Sequence, residues 1–206
     1  MAKIGLILAL AGCIFGPLLV RAGLPYRLGL GLFTLGTLLA AGLGLWLARE
    51  NLWALLGAVP LVLVAPMVLK ALSLPPIADV MTRLQPAIEF IVPPPGDNDL
   101  AISAAVGDAH RNHYHDLRTR VDADSPRTWI LAYAERAGWV LTQEREQALQ
   151  FEVRSRIFGF TDDVVVRWAA DGDNVRVDAR SRSRVGVSDL GANAKRLRAL
   201  LGVAAD

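Results

Sequence analysis

The sequence predicts an α+β protein in which three N-terminal transmembrane helices precede a two-layer domain of antiparallel sheet packed against helices. Three observations carry this expectation. Apolar runs fill most of residues 1–74, whereas residues 139–185 alternate apolar and polar side chains between Gly- and Asp-rich turns. Helix start and stop signals flank that alternating stretch on both sides.

The apolar runs are Ile4–Val20, Leu28–Leu47 and Leu52–Leu69. Each is roughly 17 to 20 residues, enough as helix to cross a hydrocarbon core. The breaks between them are short, so the helices should be antiparallel neighbours. Gly12 and Gly16 in the first run, and Ala40 and Gly44 in the second, have the small-xxx-small spacing that lets helices approach closely. None of the three runs contains Asp, Glu, Lys, Arg or His. Ion and proton paths ordinarily need such groups, so the pattern points to an anchor rather than a transporter. Leu10-Ala11-Gly12-Cys13 has the order of a bacterial lipobox, which would make Cys13 a lipid attachment point. The apolar stretch before it is short and the residues after it stay apolar, which suits a plain spanning helix.

Charge is unevenly distributed. Residues 1–74 hold five basic side chains (Lys3, Arg21, Arg27, Arg49, Lys70) and one acid, Glu50, leaving 17 of 22 basic and 19 of 20 acidic residues for the remainder. The pI near 9.0 therefore comes from the apolar end and is no argument for nucleic acid. Cys13 is the sole cysteine, so no disulfide or cysteine-based metal framework exists.

Residues 75–98 are rich in proline (Pro75, Pro76, Pro86, Pro93, Pro94, Pro95) and read as a semi-rigid linker that spaces a domain at 99–206 from the bilayer. Asp124-Ser125-Pro126 starts a helix with Ser125 as its cap, and Trp129, Ile130, Tyr133, Ala134 and Ala137 form its apolar face. Strands are expected over Trp139–Gln143, Leu149–Phe158, Asp163–Ala169 and Val175–Val185, with Asp171-Gly172-Asp173-Asn174 as a hairpin turn. Ser188 is expected to cap a last helix whose apolar stripe is Leu190, Ala194, Leu197 and Leu201.

The run from Ser181 to Arg198 (Ser-Arg-Ser-Arg-Val-Gly-Val-Ser-Asp-Leu-Gly-Ala-Asn-Ala-Lys-Arg-Leu-Arg) resembles the C-terminal signature of the DUF1499 family, a domain of unknown function. The stretch Gly159-Phe160-Thr161-Asp162-Asp163-Val164-Val165-Val166-Arg167 resembles a second family motif, and the likeness extends over residues 76–201. Two departures stand out. Ala78 occupies a position where relatives commonly carry His, and His115 one where they carry Pro. Relatives have export-type or lipoprotein-type N-termini, so the resemblance implies a domain outside the cytoplasm. A bacterial inner-membrane protein with a periplasmic domain is the expectation. The positive-inside rule leans the other way, since Arg21, Arg27, Lys70 and Arg83 lie on the tail side against Lys3 and Arg49.

Four groups of side chains are candidates for chemistry. Arg154, Arg156, Arg167, Arg176, Arg180, Arg182 and Arg184 share the parity of the sheet face turned away from the helices. Arg suits phosphate and carboxylate, so this face reads as a platform for membrane lipids, an anionic headgroup or an acidic envelope partner. The competing reading is a solvated face crossed by pairs with Glu152, Asp163 and Asp178. Asp162 and Asp163 are neighbours on a strand and must point to opposite faces, so they make a poor acid–base pair; Asp162 is expected to close a turn. His110, His113 and His115 lie within six residues and read as a solvated loop rather than a metal site. Ser188, Asp189 and Asn193 read as structural, with the Asn193 amide bonding the turn over 185–188. No cofactor motif is present. The expected function is a non-catalytic binding or accessory role at the cell envelope. The alternative is a hydrolase acting on an envelope lipid or glycan, which a pocket with convergent Asp189, Asn193 and Arg184 would favour.

Overall fold

The computed structural model describes residues 2–96, 103–117, 119–122 and 126–202. It divides into a helical unit, residues 1–73 with 156–159, and a sheet unit, residues 74–155 with 160–206.

In the helical unit, α1 (Ala2–Arg21) and α2 (Tyr26–Leu47) are followed by a 3₁₀ segment, Leu52–Ala58, that runs into α3 (Val59–Ser73). All three spans are long and apolar enough to cross a membrane, the third over Leu52–Lys70. The Asn51 side chain accepts from the Trp53 N–H and starts the third span. Glycine sets the separation of α1 and α2. A Cβ on Gly16 would fall 2.5 Å from the Gly29 carbonyl, and one on Gly36 would fall 2.7 Å from that of Ala9. The Cys13 sulfur lies 3.5 Å from the Thr37 hydroxyl, at the seam between α1 and α2. Leucines and isoleucines on the outer surfaces, such as Ile7, Leu8, Leu38 and Leu63, are exposed, as lipid-facing side chains would be.

The sheet unit is α+β. Its elements are β1 (Asp79–Met81), α4 (Ala104–His113), β2 (Arg120–Asp122), α5 (Pro126–Ala137), β3 (Val140–Arg145), β4 (Ala148–Arg154), β5 (Thr161–Asp171), β6 (Asn174–Ser183) and α6 (Ala192–Leu201). The strands form one antiparallel sheet of order β1-β6-β5-β4-β3, with β2 paired to the other end of β6. Asp171 pairs with Asn174, so Gly172 and Asp173 make a two-residue turn; Gly172 has φ 63°, which only glycine adopts readily. Pro126 opens α5 and Gly138, φ 71°, closes it. The Asp124-Ser125 cap lies outside the described residues.

Valines of β5 and β6 fill the core because the sheet is covered on both faces. Val164, Val166, Phe151 and Leu149 pack with Ile130, Ala134, Ala194 and Leu197 of the helices. The second face meets residues 82–95, an irregular strap that buries Ile88 and Phe90. This corrects the expectation of an extended linker. Ile77, Val80, Met81, Ile88 and Phe90 are core residues, and the segment supplies β1. Proline content misled because proline also suits a backbone that crosses a sheet without joining its ladder.

Candidate functional site

β6 runs between β5 on one side and β1 and β2 on the other, so its even-numbered side chains lie at the middle of the strap face. The strap's carbonyls have no ladder to join, and buried carbonyls need donors. The arginines supply them. Arg180 donates from Nη1 to the Ile88 carbonyl at 2.9 Å, and from Nε and Nη2 to the two Asp79 oxygens at 2.9 and 2.5 Å. Its guanidinium also lies 5.1 Å from the Phe90 ring centre. Arg167 donates from Nε to the Glu89 carbonyl at 2.7 Å. Gln150 closes the set: its oxygen accepts from Ile91 and Val92, and its nitrogen donates to the Val92 carbonyl.

Acids answer most of the remaining charge. Arg184 forks Asp163 at 2.7 and 2.8 Å and also bonds Glu152; the Asp163 hydrogen bond above all pushes its pKa up. Arg182 faces Asp79 across one strand pair and Asp163 across the other. Asp178 accepts from Thr82, Thr119 and Arg176 and is bridged by Arg83. An open arginine platform is therefore not what forms. Arg180 and Arg182 are only 3% and 2% exposed. Arg154 is exposed at the end of β4, and Arg156 lies beyond the strand, in a turn that groups with the helical unit. Parity placed the strand arginines on one face correctly. It could not show that a strap covers that face.

The odd-numbered side of β6 is also polar. Asn193 of α6 is fully buried, and its amide nitrogen donates to the Ala78 carbonyl at 3.0 Å and to the Ser183 hydroxyl at 3.2 Å. Its oxygen accepts from the Ser181 hydroxyl at 2.7 Å. Arg196, one turn on, bonds Ser181 and pairs with Asp162 at 2.6 Å. Asn193 is thus a structural lock, but onto β6 and the residue that leads into β1 rather than the turn over 185–188. Asp162 and Asp163 do point to opposite faces; Asp162 anchors α6 instead of closing a turn. Sequence reasoning missed Arg196, although its spacing from Asn193 places both on one helix face.

The last helix starts later than Ser188. Gly191 is its N-cap, with φ 77°. Asp189 does the capping, accepting from the N–H groups of Gly191 at 2.9 Å and Asn193 at 2.5 Å. Burial pushes the Asp189 carboxyl up, and these two backbone bonds pull it back down. The Ser188 hydroxyl accepts only from Leu190, at 3.3 Å. Asp189 and Asn193 are therefore engaged on the helix side, while Arg184 lies on the strap side. The convergence that would favour a hydrolase is not formed.

Two of the three histidines, His110 and His113, are helical rather than in a loop, and His115 lies in the turn that follows. Ser103 caps α4 by accepting from Val106. His110 is buried, and its Nε2 accepts the Met81 N–H at 3.2 Å. Burial lowers its pKa against the opposing pull of Asp79 and Asp116. His113 and His115 are exposed. Among the described residues no three His, Cys, Asp or Glu side chains are grouped to hold a metal. Asp116 is held below the ordinary carboxylate range by its hydrogen bond to Arg198.

One open cleft, of about 330 Å³, lies beside β1. Pro76, Ile77, Ala78, Ala105, Val106, Gly186 and Val187 give it apolar walls; Ser103, Asp79 and Arg182 are its polar residues. Nothing in the sequence pattern marked it, because it joins three segments distant along the chain. Of the predicted site residues, it contains Arg182.

Three apolar spans, followed in the chain by a sheet clamped between helices and an arginine-held strap, define a membrane-associated α+β protein with no assembled catalytic set among the residues described. A family model described as a protein of unknown function (DUF1499) matches residues 88–202, and the chain belongs to that family. No curated protein and no solved structure matches it. The matched region starts after the Pro76–Val80 segment and contains both the strap's arginine partners and the Asn193 lock.

Proposed function

We propose that the protein is a non-catalytic binding module of the bacterial inner membrane, with its sheet unit in the periplasm and the cleft beside β1 as its contact site. The observation that carries this reading is the use of the charged groups. Asp162, Asp163, Asp178, Asp189, Arg180, Arg184 and Arg196 are each held in a pair or a cap, which leaves them poorly placed to move protons on a substrate. The cleft offers apolar walls with two charged residues, the composition of a binding pocket rather than of a nucleophile and its base. Exposed Arg154 remains available to an acidic partner or an anionic headgroup at the surface.

The export of the sheet unit rests on the resemblance. Alkaline phosphatase fused after Ala205 should be active, and a fluorescent cytoplasm-only reporter at the same position should be dark; the reverse result overturns the periplasmic assignment. For binding, the full chain is extracted in polymer-bounded native discs and released in a mass spectrometer. A small-molecule adduct retained by the wild type and lost in Ala105→Trp, which fills the cleft from an exposed position, is the expected result. Identical spectra for the two proteins would refute the cleft as contact site.

A further inference from the structure

We propose that the cleft beside β1 takes a single-chain anionic amphiphile, its head at Arg182 and its alkyl chain along Ile77, Val106 and Val187. This names the ligand of the binding reading above and rests on it. Charge decides the head. The two charged residues of the cleft are Asp79 and Arg182. Both oxygens of Asp79 already accept from Arg180, at 2.9 and 2.5 Å, so a cationic ligand would meet a carboxylate whose charge is answered. A guanidinium differs, because its five N–H donors can serve several acceptors at once. Arg182 can therefore add a carboxylate or phosphate oxygen without giving up its place between Asp79 and Asp163. The first turn of α4, through Ser103, Ala105 and Val106, lines the same cleft and turns the positive end of its dipole toward an anion there.

Shape and surface decide the rest of the molecule. Around 330 Å³ is at the small end of ligand sites, room for a head and part of one chain rather than for a two-chain lipid. Val187 is 79% exposed on the cleft wall, an apolar side chain left in water that an alkyl chain would cover. A free phosphate or other short anion would leave that exposed Val187 surface in water.

The test uses the full chain in discs of neutral phosphatidylcholine, with a diazirine-bearing dodecanoate as the photolabel and peptide mapping as the readout. Labelling should concentrate on peptides containing Ile77, Val106 or Val187. Unlabelled dodecanoate or dodecyl phosphate should compete at least tenfold better than dodecanol or dodecylammonium, and inorganic phosphate should not compete. The ratio of the two successful competitors separates a carboxylate from a phosphate head. Ala105→Trp should cut cleft labelling at least tenfold with an unchanged circular dichroism spectrum. Arg182→Gln should erase the preference for anions; if that buried variant does not fold, Ala105→Trp and the competition series still decide. Cleft labelling that is blind to head charge overturns the anionic class and leaves the binding reading intact. No cleft labelling, together with identical native spectra for wild type and Ala105→Trp, removes both.

Discussion

The two faces of β6 are both buried, one lined by small side chains and the other by charged ones, and they do opposite work. The odd-numbered side presents Val177, Ala179, Ser181 and Ser183 to a helix, where small hydroxyls let Asn193 come close and bond across. The even-numbered side presents Asp178, Arg180, Arg182 and Arg184 to an irregular strap, where long side chains reach past the sheet to carbonyls and acids. Short polar groups weld a regular element that satisfies its own backbone. Long forked ones serve a segment that does not. The comparison teaches that alternation along a strand reports which residues share a face, not which face meets water.

The sharpest way to break that comparison is to remove a fork. Arg180→Ala strands the buried Asp79 carboxylate and the Ile88 carbonyl together. Truncating one partner of a buried pair costs about 3–5 kcal/mol, which should unfold or nearly unfold the sheet unit in near-UV dichroism melts of the full chain in discs. Replacing Arg180, Arg182 and Arg184 together by Glu should destroy the fold as well. A solvated arginine face predicts the opposite, near-native melts for both proteins.

Removing the weld should cost less. Asn193→Leu keeps the volume roughly but leaves the Ala78 carbonyl and the Ser181 and Ser183 hydroxyls short of a partner, on the order of 1–3 kcal/mol. Hydrogen exchange should then quicken at β1 and at the start of α6 before it quickens at β4. Uniform quickening across the sheet would show that the lock is not local.

Much of this was legible in the sequence. The three spans, α5, the Gly172 turn and the long strands follow from periodicity and punctuation that act within a few residues of themselves. What failed to show was every feature made by joining distant segments. β1 and β2 are three residues each, too short to display a period, and both exist because β6 offers an edge. His110 looked solvated because its acceptor role depends on Met81, 29 residues earlier. The strap looked like a spacer because proline marks a backbone that leaves the ladder, whether or not that backbone is buried. The site suffered most: the arginines were found and assigned to one face, yet their burial was set by residues 82–95.

A smaller effect sharpens the account of the helix side. Asp189→Ala removes the acceptor for two N–H groups at the head of α6 and should cost about 0.5–2 kcal/mol. Ser188→Ala removes one local bond at 3.3 Å and should stay within roughly 0.5 kcal/mol, the range of changes away from caps and cores. Equal losses in urea titrations would return the cap to Ser188. A larger loss for Ser188 would reverse the reading.

The gentlest probe is acid, because it alters one acceptor without changing the sequence. His110 faces Asp79 and Asp116, which favour its cation, and is stacked edge-on against Tyr114. Burial outweighs the acids and lowers its pKa below the ordinary 6.5. The unfolded chain therefore takes up the proton first as pH falls. Stability from neutral His110 is complete above about pH 6.5 and declines below it, reaching its limit once pH passes the folded value. The loss arises first because burial disfavours the charged ring, and a protonated Nε2 can in addition no longer accept the Met81 N–H. Asp116 works in a lower window, below its ordinary 3.8, so the two effects separate. The urea midpoint of the wild type should fall between pH 7 and pH 5. In His110→Gln, whose amide oxygen can still accept from Met81, it should stay flat over that range. A flat wild-type profile would mean that the α4–β1 contact does not depend on this acceptor. A sloping Gln variant would put the titrating group elsewhere.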